Sequence, residues 1–222
     1  MHLETDLRIL SKMKIRWSGE DMYLRKLQIK DAEGMLEWMS DPQICQNFRF
    51  PMEKRSKENI LNFIEKAETE LVEGKSIHYA IVGDEDEYLG TISLKDINLT
   101  DRNAEFAISL RKKAQGKGIA SYATKEILAL AFEKFSLERV YLNVLSSNEK
   151  AIKLYEKIGF KYEGEFRNHL YLKGEYKTLK WYGMIKCDYV NRGGALVFNR
   201  AIPALLGKRL IQIRILNNRE VA

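Results

Sequence analysis

Proline is scarce, with 3 in 222 residues, and glycine numbers 14. Those counts exclude a collagen-like chain and a proline-rich disordered one. The chain has 2 cysteines, Cys45 and Cys187. Two cannot make a disulfide framework, and they lack metal-ligand spacing, so no metal is expected. A reducing cytoplasm is the default location. The longest unbroken apolar run is Ile127 to Phe132. That is far below the roughly 20 residues a bilayer crossing needs, so no membrane partner is expected. The opening stretch, His2 to Ile15, mixes acids and bases with its aliphatics and does not read as a secretory signal. What is present is 45% hydrophobic and 31% charged residues, enough to bury one domain's core.

The net charge is +6. Most of it sits at one end. From Asn191 onward the bases are Arg192, Arg200, Lys208, Arg209, Arg214 and Arg219, against the single acid Glu220. The main domain is therefore close to neutral, and a nucleic-acid partner loses its support, since phosphate binding needs a clustered excess of charge. The shift in composition near Val190 reads as a boundary. The expected organisation is an N-terminal extension over 1–21, a main domain over 22–190 and a basic tail over 191–222. Three readings of the tail stay open: a vector-encoded or reading-frame remnant, a native extension that packs on a partner, and a membrane-surface segment. Pro203 argues against one continuous helix there.

Along the chain the hydrophobic period changes several times. Met22 to Gln28 alternates like a strand. Asp31 reads as the N-cap of a helix with Met35, Leu36, Trp38 and Met39 inward, ended by Asp41-Pro42. Ser56 is a second N-cap, ahead of Ile60, Leu61, Ile64 and Ala67, with Gly74 as the stop. His78 to Val82 and Tyr88 to Leu94 form a hairpin, and Ala104 to Leu110 is a third strand. Ile119, Ala123, Ile127, Ala131 and Phe135 predict one long helix. Arg139 to Leu145 is a strand, Ser147-Asn148 opens a helix, and Gly159 caps it. Phe160 to Phe166 and Thr178 to Ile185 close the domain. The order β, α, α, β, β, β, α, β, α, β, β predicts an α/β fold: a mixed sheet with helices on both faces. It is not the strict alternation of a dinucleotide-binding fold.

The chemistry-bearing segment is the strand ending at Leu110 and the loop Arg111-Lys112-Lys113-Ala114-Gln115-Gly116-Lys117-Gly118 that leads into Ile119-Ala120. Glycines at a helix start let backbone N–H groups converge, and the helix dipole adds positive potential. Four bases, Arg111, Lys112, Lys113 and Lys117, add charge. This is a phosphate cradle by physics. It is not a Walker loop, because no Gly-Lys-Ser/Thr occurs. A structural loop with a solvated basic face fits these residues equally well.

Downstream context resolves that tie. Gln115-Gly116-Lys117-Gly118-Ile119-Ala120 fits the Gln/Arg-x-x-Gly-x-Gly/Ala pattern of the GNAT acetyltransferases. Asn148 to Phe160 is similar to that family's Asn-x-x-Ala-x-x-x-Tyr-x-x-x-Gly-Phe signature. The two motifs stand in the family's order and spacing, and the likeness covers about Met22 to Tyr189. It resembles most the ribosomal-protein-alanine and spermidine acetyltransferase-like subgroup. The resemblance implies the GNAT acyl-CoA N-acyltransferase fold, with splayed parallel strands, and acetyl-CoA as co-substrate. The pantetheine arm would pair with the backbone of Ile108, Ser109 and Leu110. The diphosphate would rest on the amides of Gln115, Gly116, Lys117, Gly118, Ile119 and Ala120. Asn148 would contact the pantetheine or adenosine side.

The implied reaction is direct attack of a neutral amine on a thioester. An ammonium pKa of roughly 8 to 10 requires a base, and a departing thiolate near about 8.5 gains from an acid. Tyr155 matches the family's acid, and a phenol is protonated at neutral pH; it also reads as a core aromatic. Glu105 matches the base used in part of the family, usually through water; it also reads as an outward strand charge. The backbone N–H near Ile108 would serve as oxyanion donor. His78 and His169 read as structural or surface groups. Phe48, Arg49 and Phe50 line an acceptor mouth or anchor a loop. The acceptor expected is a small metabolite amine (amino sugar, polyamine or amino acid), with a protein N-terminus next. A non-catalytic CoA-binding module is the rival from another class. The chain is expected as monomer or homodimer.

Overall fold

The computed structural model describes residues 12–17, 20–50, 52 and 55–193, with side chains from Met22 onward. Its strands are β1 (Lys12–Trp17), β2 (Glu20–Lys26), β3 (Ile77–Val82), β4 (Tyr88–Asn98), β5 (Asn103–Leu110), β6 (Arg139–Leu145), β7 (Lys161–Leu172) and β8 (Glu175–Ile185). Its helices are α1 (Ala32–Ser40), α2 (Pro42–Cys45), α3 (Lys57–Val72), α4 (Ile119–Ala129), α5 (Glu149–Ile158) and α6 (Lys186–Asn191). The strands form one mixed sheet in the order β1-β2-β3-β4-β5-β6-β8-β7. Only β5 and β6 run parallel among these neighbours.

Strand alternation puts helices on both faces. On β3, Ile77, Tyr79 and Ile81 pack in one apolar cluster with Ala123 and Ile127 of α4 and Ile158 of α5. Their neighbours Ala80 and Val82 pack in the other, with Met35 and Trp38 of α1 and Ile60 and Ile64 of α3. The mixed sheet and its two helical layers match the expected fold class. No helix among the described residues is long and apolar enough to cross a membrane.

Several local expectations are corrected. Asp31 does not cap α1: no helix amide donates to its side chain. It is buried, and Arg25 grips both its oxygens at 2.7 Å. A bidentate charged pair outcompetes a cap because a buried carboxylate needs a countercharge. Pro42 does not only end α1. It opens α2, where Asp41 accepts from the Gln43 amide at 2.8 Å. The predicted long helix is α-helical to Ala129 and continues as a π-turn over Leu130–Lys134, with the Phe135 amide on the Leu130 carbonyl at 3.1 Å. The closing hairpin is longer than its alternation suggested, since most of β7 is exposed and carries no inward stripe. Residues 12–17, within the predicted extension, pair antiparallel with β2 from Lys12 to Trp17. Residues 194–222, with Pro203 and most of the tail's bases, lie outside the described residues.

Glu126 of α4 is buried, and that burial, helped by Glu133, pushes its carboxyl up to about 7 from an ordinary 4.5. A carboxyl raised in the fold favours the protonated native state. Its stabilising contribution is complete below 4.5 and lost as pH rises through about 7. Glu126→Gln should therefore stabilise the protein at pH 8 by about 1–3 kcal/mol and leave it almost unchanged at pH 4. Thermal unfolding at the two pH values checks this. Equal effects at both would refute it.

Candidate active site

The loop before α4 turns on two glycines. Gly116 has φ +76° and Gly118 has φ +80°, a left-handed conformation that side chains disfavour. The first helical amide bond runs from Tyr122 to the Gly118 carbonyl at 3.1 Å. Among the described residues, the amides of Gly116, Lys117, Gly118, Ile119, Ala120 and Ser121 donate to no protein acceptor. A helix start with such free donors attracts anions. Gln115 departs from expectation: its amide is taken by the Lys112 carbonyl at 3.1 Å. Its side chain donates to the Leu110 carbonyl at 3.2 Å, so it braces the loop.

The four loop bases do not act together. Arg111 pairs with Glu37, and Lys113 with Glu87, both turned away from the cradle. Lys112 lines a cavity of about 980 Å³ in front of the free amides, joined by Lys150 and Lys157 of α5. The Lys117 side chain lies outside that lining. Asn148 caps α5, accepting from the Ala151 amide at 3.2 Å, and lines the same cavity.

The parallel pair β5 and β6 is joined only at Asn103↔Arg139, Ala104↔Val140 and Glu105↔Tyr141. Beyond Glu105 both strands continue unpaired with each other to Leu110 and Leu145. The Arg111 amide bonds the Leu89 carbonyl at 2.9 Å, which sets the phase of the β4–β5 ladder. Ser109, Ala107 and Glu105 therefore bond toward β4, while the backbone of Phe106, Ile108 and Leu110 faces the gap. Ser109 thus departs from the predicted trio. Its backbone is engaged with Thr91 across the ladder, and its side chain lines the cavities.

Through this gap the outer cavity meets a cleft of about 510 Å³ on the α1/α3 face of the sheet. Ile108, Asn148, Ala151 and Leu154 line both. Tyr155 lines the cleft at the junction. Its ring stands edge-on to Phe106 and Phe160, each at 6.0 Å. Burial pushes its phenol up to about 12. Among the described residues its hydroxyl has no hydrogen-bond partner, so the proton is held and undirected until something enters. Glu105 stands in the cleft at the last rung of the β5–β6 pairing. Its Oε1 accepts from Arg49 at 3.2 Å and Asn143 at 3.3 Å and forms an ion pair with Lys95 at 3.0 Å. Asn143 Oδ1 is buried in the cleft wall with no donor.

Of the two readings of His78, structural and surface, its burial excludes the second: it stands in the cleft wall between Ser93 Oγ at 2.8 Å on Nδ1 and Glu70 Oε2 at 3.3 Å on Nε2. His169 lies outside the cleft, against Phe166. Phe48, Arg49 and Phe50 do line the cleft, and Phe48 stacks on Trp38 at 5.1 Å, so mouth and anchor are one structure. No group of three or more potential metal ligands occurs among the described residues.

A family model described as an acetyltransferase (GNAT) domain matches residues 21–161. Spermidine N(1)-acetyltransferase of Escherichia coli strain K12 is 39% identical over 92 residues, 41% of this chain and 50% of that protein. The chain thus spans about half the length of that relative. The Bacillus licheniformis protein named "Uncharacterized N-acetyltransferase p20" is 27% identical over 172 residues, 77% of this chain and 96% of its own. The crystal structure of spermidine N-acetyltransferase from Vibrio cholerae in complex with CoA and spermine has a TM-score of 0.69 at 25% identity, covering 77% of this chain and 98% of that one.

Proposed function

Because the chain belongs to the GNAT acetyltransferase family, we propose that it transfers an acetyl group from acetyl-CoA to a small primary amine by direct attack. The observation that carries this reading is the pair of connected features described above. Free amides stand at the head of α4, and an unpaired strand edge leads from them to a cleft. Acetyl-CoA when bound supplies an acetyl thioester as the acyl donor.

The residues present fit that ligand. The amides of Gly116 to Ser121 offer donors to a diphosphate, with Lys112, Lys150 and Lys157 adding charge at the same mouth. The gap-facing N–H and carbonyl of Ile108 and the N–H of Leu110 offer a strand-like edge to an amide-bearing arm. The Ile108 N–H is placed to polarise a carbonyl in the gap. Tyr155 is the acid: its hydroxyl gives its proton to the departing sulfur. The orphaned Asn143 Oδ1 accepts a hydrogen bond from the incoming amine, and Glu105 Oε2, which has no partner among the described residues, offers a second acceptor. Glu105, the base expected from the resemblance, faces the same cleft with its Oε1 already held by Arg49 and Asn143.

The cleft's charge narrows the acceptor. Among the described residues its ionised lining is Arg49, Arg55 and Lys95 against Glu105. Met35, Trp38, Phe48 and Phe63 supply an apolar wall. A polyamine adds several positive charges to an already positive site, which is repulsive. An amine that also bears a carboxylate or phosphate finds a complementary one. Amino acids and acidic amino sugars are therefore favoured over spermidine, with a protein N-terminus as the next reading. A thiol-release assay over spermidine, glucosamine, glucosamine 6-phosphate, methionine and phenylalanine tests this. We expect at least one anionic amine to exceed spermidine in kcat/KM by about tenfold or more, the factor a 1.4 kcal/mol difference gives. Spermidine as the best acceptor would refute the charge argument.

A further inference from the structure

We propose that the acceptor's proton leaves through a relay from Ser93 to His78 to Glu70, with Ser93 the group that meets the amine. This deepens the acetyltransferase reading and rests on it. The three side chains come from separate elements. Ser93 stands on β4 and His78 opposite it on β3 in register, both buried and both in the cleft wall. Glu70 reaches them from α3, with its side chain 19% exposed. The chain of contacts therefore runs from the closed cleft to solvent.

The path is selective because its surroundings are dry or already paired. Phe63 of α3 stands edge-on to the His78 ring at 4.9 Å and seals one side. The ionisable groups acting on His78 are Glu70 and Lys66 from α3 and Lys95 from β4. Lys66 bonds Glu70 at 3.0 Å, and Lys95 bonds Glu105 at 3.0 Å. Burial opposes ionisation of Glu70, but hydrogen bonds from Lys66 and His78 outweigh it and hold the carboxyl below its usual range. Glu70 thus serves as an acceptor for Nε2–H, which assigns Nδ1 as the lone-pair nitrogen facing Ser93. Burial also lowers His78 below its ordinary value, so the ring is neutral and receptive at neutral pH.

The protons balance. As the acceptor ammonium gives a proton to Ser93 Oγ, the Ser93 hydroxyl proton passes to His78 Nδ1. His78 then releases its Nε2 proton to Glu70, which exchanges it with water. The ring is left with its proton on Nδ1. The resting Nε2–H form returns after the products leave, when Nε2 takes a proton from Glu70 and Nδ1 passes its own through Ser93 to water entering the emptied cleft. One proton leaves the cleft, and only N–H and O–H bonds change. Glu105, with two donors and an ion pair on one oxygen, holds Lys95, Arg49 and Asn143 in place.

The test uses the full chain, acetyl-CoA and the panel amine with the highest kcat/KM. In the parent, kcat/KM should fall on the acid side as His78 gains a proton. His78→Gln keeps a donor and an acceptor but cannot carry the proton. It should lose about 100-fold in kcat/KM, within the range of general-base effects, and lose that acid limb, with acetyl-CoA affinity unchanged. Glu70→Gln removes the carboxylate that raises His78, so the limb should move to lower pH, and the plateau of kcat/KM should fall about tenfold as the terminal proton acceptor is lost; a shifted limb with the plateau unchanged would overturn the last step of the relay. Nitrogen-15 spectra of the histidines should show His78 as the Nε2–H tautomer. A limb unmoved in His78→Gln but lost in Glu105→Gln, or an Nδ1–H tautomer, overturns the relay alone. Absence of thiol release from the parent with every amine overturns the transfer reading and the relay with it.

Discussion

Replacing Gly118 with valine should weaken acetyl-CoA binding by about 100-fold or more while the fold survives. Gly118 has φ +80° and ψ −8° at the head of α4. A β-branched residue there pays about 1–3 kcal/mol of backbone strain. The strain is relieved by rotating the peptide, and that swings the amides of residues 117–119 out of their common focus. Each hydrogen bond to a charged oxygen contributes about 1.5–3 kcal/mol. Losing two exceeds the 2.8 kcal/mol that a hundredfold change in Kd requires. Calorimetric titration with CoA reads the loss, and circular dichroism with thermal unfolding confirms that the protein remains folded. A folded variant with parental affinity would remove the cradle from the account.

Tyr155→Phe should separate turnover from binding. The ring's contacts with Phe106 and Phe160 survive the change, so the helix and the gap keep their shape. Only the hydroxyl, and with it the transferable proton, is removed. We expect kcat to fall by about 100-fold, within the range for a positioned acid, with CoA affinity changed less than about threefold. Since burial holds the parent's phenol at about 12, its acid function should persist to pH 10, with no alkaline limb from Tyr155 below that. A kcat equal to the parent's would return Tyr155 to the role of a core aromatic.

The turns of the main chain around the candidate site are legible in the sequence, because glycine placement and strand ends are local signals, while the bonding of the Ser109 and Gln115 amides depends on neighbours that the sequence pattern does not show. Gly116 and Gly118 stand where left-handed turns are required, and Leu110 ends the strand at the gap. The side-chain half was not legible, and the reason is topological. His78, Ser93 and Lys95 alternate with apolar residues, which reads as a strand's solvent face. Here that face is roofed by α1 and α3, so its polar residues line an enclosed cleft. Polar residues on a strand covered from both sides are the signal to look for, since burial requires that each find a partner. The basic loop misled in the opposite direction. Arg111 and Lys113 counted toward a phosphate site, but Glu37 and Glu87, which no local window connects to them, claim both. Asp31 is no cap for a different reason: Arg25, close in sequence, holds both oxygens of its buried carboxylate.

Amide chemical shifts recorded during a CoA titration test the central claim most directly. The account predicts that the largest changes fall on Gly116 to Ser121, with Ile108 and Leu110 next and Gln115 smaller, as its N–H is already bonded. Saturating CoA that leaves those resonances in place, or that perturbs a different surface, would contradict it.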